Sequence, residues 1–158
     1  MWLFMIICYI MMASNFLNIL LTGLMGYFKF TIWDATHARF AIFTILIFIL
    51  TETLVMFFFI ATGKSIKQMI QDGRGDTKHW QRVKKVKKWV FPQIILTIIL
   101  VGAVFIHGGV VDNNLGLSWL HGPLFLLAFF QHVWSLVIKN RSFREQVNIA
   151  AEIFKELE

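Results

Sequence analysis

Apolar residues gather into four long runs along the chain, at about residues 2–26, 37–61, 89–107 and 120–138, separated by polar connections. Each run is close to the ~20 residues that an α-helix needs to cross a hydrocarbon layer of ~30 Å. Stretches such as 42–50 and 94–101 show none of the two-residue alternation of a barrel strand, so all four are predicted to be helices. The first run has no basic flank ahead of it and no small-x-small cleavage site, and it is too long for a signal-peptide core; it is expected to remain as a span. Beyond the fourth run, Ser142 and Glu145 make a capping-box pattern, and Phe143, Val147, Ala151, Phe154 and Leu157 recur at helical spacing. The predicted fold is therefore all-α: one integral membrane domain over residues 1–158, a four-helix up-down-up-down bundle with a short C-terminal amphipathic cytoplasmic helix over 142–158.

Composition agrees with a lipid-embedded chain. Of 158 residues, 58% are hydrophobic and 15% charged, against roughly half and a quarter in soluble domains. Mean hydropathy is +0.68. A single cysteine, Cys8, excludes an internal disulfide and any multi-thiolate metal or iron–sulfur site. Apart from Lys29 and Arg39, every lysine and arginine lies either between residues 63 and 88 or after residue 138. With four crossings these two segments share one side, which the positive-inside rule makes cytoplasmic, together with both termini. The expected location is the cell's inner membrane, as a multi-pass protein. The net charge of +6 then reads as a topology signal and not as a nucleic-acid surface. Within the basic connection, residues 71–76 read as a Gly/Asp loop, residues 80–88 as a basic amphipathic turn on anionic headgroups, and His79 as solvent-exposed.

Polar residues inside the spans carry the candidate chemistry, because in lipid each must face protein or a cavity. His37, Thr44 and Thr51 recur two helical turns apart, with Glu52 beside them; His121, His132 and Ser135 share one face of the fourth run. Gln93, Thr97 and His107 make a stripe on the third, and Asn15, Asn18 and Thr22 on the first. Turned inward, these stripes form two belts. His37, His107 and His121 fall at the outer rim, whereas Asn15, Glu52, Gln93, Thr97 and His132 fall roughly 15–22 Å deeper.

Three imidazoles from three helices at one level form a ligand set for a transition metal such as copper, or for haem iron. Equally, each could be an interfacial residue wetted by headgroups. Gly108, Gly109 and Gly122 beside them would leave room for a planar ligand or serve as turn and packing glycines. Lys29 and Arg39, the two outer cations, suit propionates, or simply reach the interface. Asp34 and Asp112 could fix the imidazole tautomers, or be solvated turn residues alongside Asn113 and Asn114. Mid-span, Glu52 is costly; with His132 it could relay protons, bind a second metal or make a structural hydrogen bond. His132 could also ligate haem from the inner half.

On His37, His107, His121 and His132, the chain resembles four-helix membrane cytochromes b, in which histidines on bundle helices hold haem. That resemblance covers about 90 residues of span and implies non-covalent haem b, because Cys-x-x-Cys-His attachment needs a second cysteine. It implies a redox role: electron transfer, or binding or conversion of a small gas, with quinone as a possible partner. Two other classes stay open. One is a proton-coupled carrier or metal-ion conduit built on Glu52 and His132, which four helices would need to oligomerise to make. The other is a non-catalytic subunit of a larger membrane complex, whose polar stripes only join helices. Phosphate-binding loops, nucleophile elbows and His-Glu-x-x-His helices do not occur in the sequence.

Overall fold

A computed structural model of the chain describes residues 2–113 and 116–155, except for the side chain of Asp112. The expected roles of Asp112, Asn114 and Leu157 thus fall outside the described residues. The order is α1 (Trp2–Phe28), α2 (His37–Gln71), α3 (Thr77–Asp112), a short 3₁₀ turn (Ser118–Leu120) and α4 (His121–Lys155). Each of the four helices is long and apolar enough to cross a membrane. Their outward faces carry large apolar side chains such as Ile10, Leu46, Ile99 and Phe130, all more than half exposed, as a lipid-facing surface requires.

The helices form an up-down-up-down bundle whose register is fixed by contacts along its length. α1 runs antiparallel to α2, with Thr22 meeting Thr44 and the Thr51 hydroxyl reaching the Met11 carbonyl. α3 runs antiparallel to α4, with Gln131 donating to Gln93 near the middle and Arg82 to Glu145 further along. α2 and α4 run parallel and face each other across the bundle, through His37 and His121, Phe48 and His132, Glu52 and Lys139, and Thr62 and Gln146. Gly23 permits the approach of α1 to α4: a β-carbon there would sit 2.2 Å from the Phe125 ring.

Helices α2, α3 and α4 are far longer than the sequence runs, at 35, 36 and 35 residues. At ~1.5 Å per residue they extend roughly 20 Å beyond a ~30 Å hydrocarbon layer. Most of the extra length lies at the basic end, where Ile66, Val83, Ile149 and Ile153 bury a small core of their own; α3 also continues to Asp112 at the other end. The amphipathic C-terminal segment is helical, but as an unbroken continuation of α4. Ser142 is buried within that helix and not at its start, so the Ser142–Glu145 pattern caps nothing. The basic residues 80–88 likewise belong to α3 and not to a separate turn.

The capping box forms elsewhere, at Asp76. Its carboxylate accepts from the Lys78 amide at 2.9 Å, while His79 Nδ1 accepts from the Asp76 amide at 3.3 Å. The Lys78 amide and the Thr77 hydroxyl hold the Asp76 carboxyl below the usual carboxylate range. His79, expected in solvent, is fully buried, with Nε2 3.6 Å from Glu152. The reason is that α2, α3 and α4 continue past the apolar runs and enclose it. Arg82 joins this cluster by bonding both Glu145 and Glu152.

Between the two ends lies an aromatic layer. The Phe143 ring centroid is 4.7 Å from that of Phe58 and 4.9 Å from that of Phe59, and all three rings are fully buried with Cys8, Val55, Val90 and Ile94. Replacing Phe143 by Ala removes the hub of this layer. Reversible unfolding in detergent is expected to show a loss of about 3 kcal/mol or more.

Candidate functional site at the histidine end of the bundle

Opposite the basic end, the three rim histidines come together as expected. The His37 and His121 ring centroids are 6.3 Å apart, nearly perpendicular, and those of His107 and His121 are 5.8 Å apart, nearly parallel. His37 stands at the first residue of α2 and His121 at the first of α4, so the parallel register of these helices brings them level. His107 approaches from α3, which runs the other way and ends nearby.

The tautomer of His37 follows from its partner. Nδ1 lies 3.0 Å from the Thr22 carbonyl oxygen, which only accepts, so Nδ1 carries the hydrogen and the neutral ring keeps its lone pair on Nε2. A backbone carbonyl in this position is the usual support for a metal-binding imidazole. Gly26 makes room for the ring; a β-carbon there would be 3.1 Å from its Cε1. Both ring nitrogens of His107 are shielded from solvent and have no hydrogen-bond partner. Asp34 does not take the expected supporting role. It is exposed in a tight turn closed by the Ile32–Ala35 bridge, with φ of 58°, and Thr22 supports His37 instead.

A cavity of about 600 Å³ opens beside the rim, lined by all four helices. His37, His121, Gly108, Gly109 and Gly122 border it, with Thr22, Thr44 and Lys29 as further polar contributors. Most of the remaining lining is apolar, and the volume lies in the range of sites for cofactor-sized molecules. Gly109 is exposed and has open space where a side chain would stand. Arg39 is exposed and does not line the cavity, and His107 packs behind His121 and not against the cavity itself. Among the described residues, no three His, Cys, Asp or Glu side chains are arranged as a ready metal-ligand group.

The inner belt is organised by a partner that the sequence reading assigned elsewhere. Lys139, read as a flanking cation, is fully buried and its Nζ bonds Glu52 Oε1 at 2.5 Å; Glu52 is equally buried. His132 does not pair with Glu52. Its ring stands edge-on to Phe48, centroids 6.1 Å apart, and neither nitrogen has a hydrogen-bond partner. Among the described residues no second imidazole makes a ring contact with it. Helical spacing held the missed signal, since Lys139 continues the His132–Ser135 face by one more turn. Gln93 pairs with Gln131, and the Thr97 hydroxyl donates to the Gln93 carbonyl oxygen at 2.7 Å.

No protein-family model, curated protein or solved structure matches the chain.

Removing one member of a buried ion pair strands the other's charge, at a cost of about 3–5 kcal/mol, whereas neutralising both spares it. Glu52→Gln and Lys139→Met are each expected to destabilise the protein by about that amount. The double variant should lose clearly less than the two single losses combined. Thermal or denaturant unfolding in one detergent measures all three, and additive losses would show that the two charges are not coupled.

Proposed function

We propose that this is a haem- or transition-metal-binding membrane protein of redox type, with its site among His37, His107 and His121. One observation carries the reading: imidazoles from three helices meet ring to ring beside a cavity of about 600 Å³ at one end of an apolar bundle. His37 is the best-prepared ligand, because the Thr22 carbonyl fixes its Nδ1 hydrogen and leaves Nε2 to donate. His121 also borders the cavity, and His107 backs its ring and either positions it or joins the ligand set. Lys29, on the lining, is placed to meet an anionic substituent such as a propionate. Haem b, or copper, would supply a one-electron centre there. The mostly apolar lining suits a small gas or a quinone as the molecule that reaches it.

Charge supports an orientation as part of this reading. The projecting basic end carries most of the lysines and arginines, which favour the cytoplasmic side, so the proposed site would face outward from the cell's inner membrane. The buried Glu52–Lys139 pair gives separate support to a second reading, a proton-coupled carrier, because a midspan acid–base pair is a common element of such proteins.

The first reading is tested by purifying the protein in detergent from haem- and metal-replete cells, then recording its absorption before and after dithionite with elemental analysis for iron and copper. Bound haem or stoichiometric metal is expected, reduced at least tenfold by His37→Ala and by His121→Ala in variants that remain monodisperse. A colourless, metal-free preparation overturns the reading.

A further inference from the structure

The floor of the outer cavity includes Ile19, Thr44 and Ala128. One helical turn deeper on the same three helices stand Asn15, Phe48 and His132, followed by Ser135 and Glu52. The register of α1 on α4, set by Phe16 against Phe129 and Tyr9 against Asn140, places Asn15 level with His132, with Ser135 about one turn deeper. Asn15, Glu52, His132 and Ser135 are all fully buried. Yet both amide atoms of Asn15, both ring nitrogens of His132, the Ser135 hydroxyl and Glu52 Oε2 have no hydrogen-bond partner in the protein.

Polar groups so confined are almost always satisfied, by ordered water where protein atoms do not suffice. Left bare, each costs about 1–3 kcal/mol, and several in one layer would consume much of the stability of a domain. Deeper still the surroundings become dry. Phe58, Phe59 and Phe143 close the bundle between the Glu52–Lys139 pair and the Thr62–Gln146 contact.

We infer that Asn15, Glu52, His132 and Ser135 line a water-filled chamber that is continuous with the histidine-end cavity and sealed from the basic end by the phenylalanine layer. The bound ligand is a cluster of water molecules. Its consequence is directional: Glu52 and Lys139 exchange protons with the histidine side alone. Nothing in this inference requires a metal or haem, so it stands or falls separately from the redox reading.

Thiol reactivity in lipid nanodiscs tests it, because methanethiosulfonates attack thiolates that only water stabilises. Ser135→Cys, made in a Cys8→Ser background, is expected to react with 2-aminoethyl methanethiosulfonate at least 100-fold faster than the native Cys8 of the aromatic layer. Adding Ala128→Phe at the chamber mouth should slow that labelling at least tenfold. Should the variants fail to fold, X-ray radiolytic footprinting of the unaltered protein gives an independent readout, with His132 oxidised by adjacent water and Phe58, Phe59 and Phe143 spared. A Ser135→Cys thiol as inert as Cys8, labelling indifferent to Ala128→Phe, or an unmodified His132 would each overturn the chamber.

Discussion

A single ion pair in the apolar interior, Glu52 with Lys139, sets the terms for the rest of this structure. Neither charge can stay in a hydrocarbon-embedded bundle without the other, so α2 and α4 must stand opposite each other with these residues level. Neighbouring contacts follow from that constraint. One or two turns towards one end, Phe48 meets His132; at the helix starts, His37 meets His121; towards the other end, Thr62 meets Gln146. Apolar packing alone would tolerate other registers, since lipid chains compete equally well for leucine and phenylalanine surfaces.

The same diagonal divides the molecule into zones of different polarity. At one end are imidazoles and a cavity; below them lies a layer of buried polar atoms that ends at the ion pair; then comes a dry aromatic layer; finally a basic extension is held by Arg82, Glu145 and Glu152. Burial of His79 in that extension shows that the projecting helices form a folded cap and not a solvated loop.

The number of helices, their order and the inward stripes were legible from spacing alone, because four apolar runs separated by polar connections leave few alternatives in lipid. The meeting of His37, His107 and His121 was legible for the same reason: each stands near a helix end, and alternating direction brings those ends together. Helix length was not. Runs of hydrophobicity mark where helices contact lipid, and say nothing of where they stop, so residues 62–71 and 77–88 read as connection though both are helical. Lys139 was misread because charge near a span end is ordinarily a flank; only its alignment with His132 and Ser135 shows that it points inward. Tautomer support was also out of reach, since the Thr22 carbonyl that bonds His37 is backbone and leaves no residue signature.

Cross-linking across the α2–α4 diagonal measures the parallel register most directly. In a Cys8→Ser background, the pairs His37→Cys with His121→Cys and Thr62→Cys with Gln146→Cys lie at opposite ends of that diagonal. Mild oxidation, or a short bifunctional thiol reagent, should join each pair within one chain and leave the mixed pair His37→Cys with Gln146→Cys unjoined. Efficient joining of the mixed pair, or failure of both level pairs, would contradict the register on which the histidine site and the buried ion pair depend.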